Sequence, residues 1–421
     1  MKGLKEESIM ENDIFYGSPN KLMRFMSKDK IIASIYHIAN TIFMLEKRIK
    51  KNEKIPNPIH IEIYVKISKE DKIKISHMLK NLVLDVLYHD SDFILEEKEL
   101  KIKKPFENNS VKLSTICLYS GGIDSTTGIL LSKKIFPDVR GAFVAHQDMT
   151  RTTELIKKIE KTILFKNRIA VEKYLAPAMG LGYSQTRGFL YLLYGGISAY
   201  LHSADRIIIS ECGATMYQPK FSPLDTITYT THPSVLRTAK KIIDIILNRE
   251  IQVITPFENL TKTEVMQICP DKAILANTHS CITSRWAKNC GKCYACLTRM
   301  IGSINIGESL DYFRNNVFMT PNNENLSAFL RFCYDYMNNP DEIDYWSLTT
   351  IKHYHKEDLF RRVCLDAFLA LRKLRRINRL DFSYWQILED FEKMKAPELD
   401  ERMKELKNTP SPNFDKKVGS I

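Results

Sequence analysis

The chain has 421 residues, 44% of them hydrophobic and 27% charged, a balance that fits a globular protein and excludes a chain too polar to fold. One hydrophobic core rarely grows past about 250–300 residues, so two or three domains are expected. The formal net charge of +12 comes from 62 Lys+Arg against 50 Asp+Glu; the lysines are scattered and often sit beside glutamates, which favours a solvated basic surface over a nucleic-acid partner.

The opening residues carry no apolar run, so no secretory leader is expected. Apolar segments are broken by charges well short of a membrane span, about 18–20 residues. Nine cysteines without an export signal point to a reducing cytoplasm, where clustered thiols more often mean metal or catalysis than disulfides.

Residues 1–110 read as an α+β extension. "KDKIIASIYHIANTIFMLEKRI" has helical apolar spacing, and Ile59–Ile67 alternates as a half-buried strand. "DKIKISHMLKNLVLDVL" predicts a second helix and "DFILEE" a short strand. Residues 111–305 alternate strand and helix. The strands are Ser114–Tyr119, Gly141–His146, "RIAVEKYL", Arg206–Glu211 and Ile251–Phe257. The helices are "STTGILLSKKIF", "TTELIKKIEKTILF", "SQTRGFLYLLYGGISAYLHS" and "HPSVLRTAKKIIDIIL". This predicts an α/β fold, a parallel sheet with helices on both faces, with ligands at the carboxyl ends of the strands. Residues 306–421 are helical in pattern and end in a segment, "TPSPNFDKKVGSI", expected to be a mobile tail. The one dense basic stretch, Leu371–Arg379, fits an amphipathic helix as well as an anion-binding face.

Two motifs carry chemistry. The first is Ser120-Gly121-Gly122-Ile123-Asp124-Ser125, followed by Thr126, at a strand-to-helix turn. Glycines let the backbone approach phosphate oxygens, a helix amino terminus supplies N–H donors, and hydroxyls add more. Asp124 has two open roles, capping the helix or helping to hold Mg2+. The second is Cys281, Cys290, Cys293 and Cys296, spaced C-x8-C-x2-C-x2-C, which suits a tetrahedral zinc ion with Gly291 freeing the turn. Arg285, Lys288, Lys292 and Arg299 are placed to offset its negative charge. The other five cysteines sit in apolar surroundings and read as packing residues.

The six residues from Ser120 resemble the SGGxDS signature of the PP-loop (pyrophosphate-loop) ATPases, which cleave ATP between the α and β phosphates. Together with the cysteine cluster, Thr255–Val265 ("TPFENLTKTEV") and "SQTRGF", this loop resembles the QueC family of 7-cyano-7-deazaguanine synthases over roughly residues 111–305. The resemblance implies ATP and Mg2+ as cofactors with a structural zinc, and adenylation of a 7-deazaguanine carboxylate. It places Ser120, Gly121, Gly122, Asp124, Ser125 and Thr126 at the pyrophosphate, with Lys262 and Arg187 neutralising charge. The loop Glu211–Pro233 is expected to meet the base, with Glu211, Tyr217 and Asp225 as candidate contacts and Phe221 and Tyr229 as further aromatics. His232 either starts the next helix ahead of Pro233 or acts as an acid or base.

The chain departs from the biosynthetic pattern. "VAHQDMTR" stands where a tyrosine-glycine-glutamine sequence is usual, and no proline-aspartate-cysteine-arginine stretch is present. The "TTHP" segment and the amino-terminal extension are similar to QueC-like proteins of antiphage defence operons of the Qat or CBASS type. That branch implies an ATP-dependent ligase coupling the deazaguanine to an amine on a partner protein from the same operon. The alternatives are the free nitrile synthase, a tRNA-thiolating PP-loop enzyme, and a scaffold that retains nucleotide without turnover.

Overall fold

A computed structural model describes residues 28–102, 111–146, 164, 167–177, 184–217, 230–281, 289–340, 356–408, 411–415 and 418. Five strands form the central sheet: β3 (Thr115–Leu118), β4 (Arg140–His146), β5 (Val171–Ala176), β6 (Arg206–Ile208) and β7 (Gln252–Ile254). They pair in the order β5-β4-β3-β6-β7, every pair parallel. The chain builds outward from β3 through β4 to β5, then returns to add β6 and β7 on the other side. The order therefore reverses between β3 and β6, and the crevice beyond the carboxyl ends of these two strands is where such sheets take ligands.

The sheet is covered on both faces, as its apolar strands require. α3 (Ile123–Ile135) follows β3, α4 (Arg187–Leu201) precedes β6, and α6 (Pro233–Leu247) precedes β7; between them the four-residue α5 (Gly213–Met216) follows β6. α4 is apolar on nearly every side because it is sandwiched between the sheet, the amino-terminal helix Lys30–Lys50 and α6. α6 begins with His232 as its cap and Pro233 in its first turn, the structural role foreseen for these residues. The expected helix at "TTELIKKIEKTILF" lies outside the described residues apart from Leu164.

The amino-terminal region contributes α1 (Lys30–Lys50), β1 (Ile59–Ile63), α2 (Lys69–Leu87) and β2 (Phe93–Glu97), with β1 and β2 paired in parallel. The first strand is shorter than its alternation suggests. Past Ile63, the N–H groups of Tyr64 and Val65 donate to Ser34 Oγ (2.8 and 3.3 Å) instead of continuing the ladder. The carboxyl-terminal region is helical, as expected: α9 (Glu324–Asn338), α10 (Glu357–Arg376) and α11 (Trp385–Glu405). α10 packs against α8 (Tyr294–Ile306) as well as against its own neighbours. One continuous cluster of buried side chains runs from Ile32 in α1 through α4 and α8 to Phe391 in α11. The segment read as a mobile tail is docked where it is described: Asn413 N donates to Pro256 O and Val418 N to Val253 O. It thereby covers the open edge of β7, an edge that would otherwise present unpaired backbone groups. No helix among the described residues is long and apolar enough to cross a membrane.

Glu46 on α1 ties the amino-terminal region to the core. Its buried carboxylate accepts from Gln185 N (2.6 Å), Thr186 N (2.9 Å), Thr186 Oγ1 (2.6 Å) and Ser184 Oγ (2.7 Å), and Lys50 Nζ lies 2.5 Å away. It caps α4 from an element about 140 residues earlier in the chain, since Thr186 offers no side-chain cap of its own. Burial alone would raise the Glu46 pKa, but the Lys50 ammonium and the Thr186, Ser184 and Gln185 donors outweigh it, and the group sits below its ordinary value of 4.5. Its contribution to stability is thus complete above that value and lost as pH falls through the depressed one. Glu46→Ala is expected to destabilise the protein by about 1–3 kcal/mol, the cost of leaving the buried Gln185 and Thr186 donors without their acceptor. Glu46→Gln is expected to flatten the acid limb of stability against pH, measured by denaturant unfolding from pH 7 to 3.

Candidate active site

β3 ends in Ser120-Gly121-Gly122, which turns directly into α3. Gly121 has φ +74°, a left-handed conformation that favours glycine, and Gly122 caps the helix with no side-chain hydrogen bond. The hydroxyls fold inward to shape the turn: Ser125 Oγ and Thr126 Oγ1 donate to Gly122 O (3.1 and 2.8 Å), and Ser120 N donates to Ser125 Oγ (3.1 Å). The Gly122 N–H meets Ser120 Oγ at 3.4 Å, and the turn lies at the carboxyl end of β3, where the strand order reverses.

Asp124 lies in that first turn but does not cap the helix. Its Oδ2 pairs with Lys262 Nζ in a close buried contact and accepts from Cys212 N at 3.3 Å. Oδ1 meets no N–H or O–H donor among the described residues. Glu211 and Cys212 follow β6, and one ligand atom from each of Asp124, Glu211 and Cys212 falls within 4.8 Å of the others. Burial, then the Asp124 charge, pushes the Glu211 carboxyl up to about 8, while Lys262 and Arg187 pull it partly back; the acid form of Glu211 hydrogen-bonds to Asp124. Burial would lower the Lys262 pKa, yet Asp124 and its neighbours hold it above its ordinary value. The Cys212 thiol is pushed up to about 12, chiefly by burial, so it stays protonated.

This donor set suits a hard cation at the two carboxylates. Asp124 Oδ1 is a buried oxygen without a donor, and Glu211 faces it. Mg2+ takes one or two protein carboxylates and keeps its remaining positions for water and phosphate oxygens. A neutral thiol adds nothing to such a site.

The structure brings Lys262 and Glu211 to the phosphate turn directly. Arg187, the first residue of α4, is near enough to Glu211 to act on its charge, and its guanidinium carbon lies 6.0 Å from the Tyr191 ring centre. Tyr217 faces inward: it is buried, donates its hydroxyl to Glu258 Oε1 (2.5 Å) and packs edge-on against His232. His232 has its pKa lowered to about 3, first by burial and then by Arg237. Its ring accepts from Ser234 N at 3.3 Å, a cap rather than a proton relay. Asp225, Phe221 and Tyr229 lie outside the described residues.

The four clustered cysteines converge. Cys281 Sγ and Cys293 Sγ are 3.9 Å apart, Cys290 Sγ and Cys296 Sγ 3.8 Å, and all four lie within 4.8 Å of one another. Zinc–thiolate bonds of about 2.3 Å require sulfur–sulfur edges of about 3.8 Å in a tetrahedron, so the cluster fits zinc. Backbone N–H groups of Lys292 and Cys293 donate to Cys290 Sγ at 3.3 Å. Gly291 has φ +75°, and a Cβ there would lie 1.9 Å from Asn315 O. The strand of chain leading into the cluster braces the phosphate turn: His279 N donates to Gly121 O (3.1 Å), and Ile123 N reaches Ser280 Oγ at 3.5 Å. Arg299, expected only as a counter-charge, is fully buried and holds this strand, donating to Thr278 O (2.9 Å), Thr278 Oγ1 (2.7 Å) and Leu275 O. Arg285 and Lys288 lie outside the described residues.

Sequence reasoning missed Ser280 and the support beneath Lys262. α7 (Lys262–Gln267) starts with a capping box in which Thr261 Oγ1 accepts from Glu264 N and Glu264 accepts from Thr261 N. The T-x-x-E spacing of "TKTE" carries that signal in the sequence.

Residues 140–307 match the family described as "Queuosine biosynthesis protein QueC". A 7-cyano-7-deazaguanine synthase of Leptospira biflexa serovar Patoc is 25% identical over 237 residues, covering 48% of this chain and 94% of that protein. Proteins of the same name from Staphylococcus haemolyticus and Bacillus subtilis are each 24% identical, covering 46% and 45% of this chain and 93% and 94% of their own lengths. The chain therefore carries a QueC-family domain on an α/β sheet, with nearly half of its length aligned to almost the whole of these relatives.

Two changes test the metal centre. Cys293→Ser is expected to abolish zinc binding, from one zinc per chain to none by elemental analysis. Stripping the metal with a chelator is expected to lower the thermal midpoint and to expose the Gly121–Ile123 amides to hydrogen exchange, because the braced strand loses its anchor.

Proposed function

We propose that the protein is an ATP-dependent ligase that adenylates the carboxylate of a 7-deazaguanine and couples it to an amine on a partner protein in an antiphage defence system of the cytoplasm. The observation that carries the ATP-using part is the buried Lys262–Asp124 pair beside the uncapped Gly121-Gly122 turn, at the reversal point of a parallel sheet. The names and coverage of the relatives support the deazaguanine. The regions flanking the QueC-family domain, including helices α1, α2 and α9–α11, support a role for a further protein, because the relatives' alignments span less than half of this chain. The division into residues 1–110, 111–305 and 306–421 belongs to the same proposal.

In this reading the Gly121 and Gly122 amides and the α3 amino terminus hold the departing pyrophosphate, with Ser120, Ser125 and Thr126 shaping the turn. A carboxylate oxygen of the substrate attacks the α phosphorus, the bond to the β-phosphate oxygen breaks, and pyrophosphate leaves. The amine nitrogen then attacks the acyl carbon, its proton is lost, and AMP departs with the electron pair of its oxygen. Lys262 offsets charge on the phosphates, and Arg187 grips phosphate or carboxylate at the α4 end. Asp124 and Glu211 would hold Mg2+, which when bound offsets phosphate charge and orients the triphosphate. Tyr217 is turned inward onto Glu258, and Asp225 is the candidate in the Glu211–Pro233 segment for the base N–H groups. The zinc centre acts structurally, by bracing the turn.

The second reading is the free synthase that releases a nitrile, favoured by the relatives, which are 7-cyano-7-deazaguanine synthases. Thiolation of tRNA has less support, since the cysteine beside the turn, Cys212, is fully buried with its thiol proton firmly held.

The test is incubation with ATP and 7-carboxy-7-deazaguanine, with and without the neighbouring operon's proteins, followed by mass analysis. Release of AMP and pyrophosphate with a deazaguanine-sized gain on a partner is the expected result. A nitrile formed without any partner selects the second reading, and absence of AMP release overturns both. Lys262→Met and Asp124→Asn are each expected to lower AMP release by about 100- to 1,000-fold, the usual loss when one charge-stabilising group is removed.

A further inference from the structure

We propose that Arg402 and Asp366, on the carboxyl-terminal helices, are positioning residues that set Lys262 against the phosphate turn. The inference rests on the reading of that turn as an ATP site. Lys262 is the first residue of α7, and the turn before it is held by three groups from α10 and α11. Asp366 Oδ2 accepts from Thr261 Oγ1 at 2.7 Å, and Asp366 Oδ1 accepts from Arg402 Nε at 2.9 Å. Arg402 Nη2 lies 2.8 Å from Glu264 Oε1 as an ion pair without hydrogen-bond geometry, and Arg362 Nη1 is 2.5 Å from both Glu264 oxygens. Arg362 Nη2 also donates to Asn259 O at 2.7 Å. Thr261, Glu264, Asp366 and Arg402 are each 3% exposed or less.

The α7 cap is complete without these partners. Thr261 Oγ1 already accepts from Glu264 N, and Glu264 Oε2 from Thr261 N. Asp366 takes only the remaining hydroxyl proton, and the arginines take only the outer faces of the Glu264 carboxylate. Their added effect is to fix where the capped turn sits relative to α10 and α11. Buried ion networks are a poor source of net stability but a strong source of fixed geometry, because each planar arginine fork accepts one arrangement of carboxylates. Lys262 Nζ meets Asp124 at the far end of this chain of contacts. A shift of about 1 Å in a group that meets the reacting phosphates costs about 100-fold in rate.

The discriminating variant replaces the polar lock by apolar side chains of similar size, Arg402→Met with Asp366→Leu. Glu264 keeps Arg362, so the capping box and the fold are expected to persist, with zinc content and cooperative unfolding intact. Two readouts then report on Lys262. The first is kcat and KM for ATP in AMP release: kcat is expected to fall at least about tenfold, with the smaller change in KM. The second needs no turnover: labelling of Lys262 by an amine-reactive reagent, read by peptide mass spectrometry, is expected to rise about tenfold as its pairing with Asp124 loosens. A folded double variant with wild-type kcat and wild-type labelling overturns the proposal. If the wild-type protein itself releases no AMP, the ATP reading fails, and the labelling result alone decides the positioning. If the double variant does not fold, Arg402→Lys, which keeps the charge but loses the planar fork, carries the same two measurements.

Discussion

The buried pair between Lys262 and Asp124 is the contact around which the rest of the molecule is arranged. It joins the first turn of α3, which leaves the sheet at β3, to the first turn of α7, which follows β7 two strands away. Both groups have lost nearly all of their water, so each is strongly unfavourable without the other, and their partnership demands that two helix starts be placed to within a fraction of an ångström. A sheet alone does not supply that accuracy, since helix ends fray and turns flex.

Three separate devices supply it. The four cysteines fold the segment 278–281 against the turn, so that His279 N and Ser280 Oγ support Gly121 and Ile123. The amino-terminal region inserts Glu46 under the first residues of α4, fixing the helix end from which Arg187 emerges. The carboxyl-terminal helices insert Asp366 and Arg402 under the first residues of α7. Each region remote from the crevice thus contributes a buried polar contact to one helix start at its rim. The regions that distinguish this chain from its shorter relatives are, in part, the frame of its candidate site.

The sheet, its parallel order and the helical carboxyl-terminal region were legible because strand and helix periodicities alternate cleanly and the apolar strands admit only a two-sided cover. The phosphate turn and the cysteine cluster were legible because each is local: six consecutive residues in one case, a sixteen-residue span in the other. Glu46, Asp366 and Arg402 were not. A carboxylate on a helix surface and a carboxylate capping another helix have the same local sequence, and the separation of 36 residues between Asp366 and Arg402, or of about 140 between Glu46 and Thr186, leaves no periodic trace. The docked tail was hidden for the same reason. Its polar, proline-containing composition is that of a free end, and its partners, Val253, Pro256 and Phe136, lie far away in the sequence. Tyr217 was legible as an aromatic in a loop after a strand, but its inward turn depends on Glu258, forty-one residues on.

Asp124 and Glu211 show what this frame is holding. Two carboxyl groups that face each other in a dry crevice cannot both ionise without a positive charge between them. Lys262 answers for one oxygen of Asp124 and leaves the other without an N–H or O–H donor. Burial, then the Asp124 charge, pushes the Glu211 carboxyl up to about 8, so a proton on Glu211 relieves the repulsion. Asp124 and Glu211 would hold a divalent ion in place of that proton, and the ion would supply positive charge to offset phosphate oxygens. The two carboxyl groups lie where the strand order opens a crevice, among helix starts held by the contacts at Glu46, the cysteine cluster and Arg402.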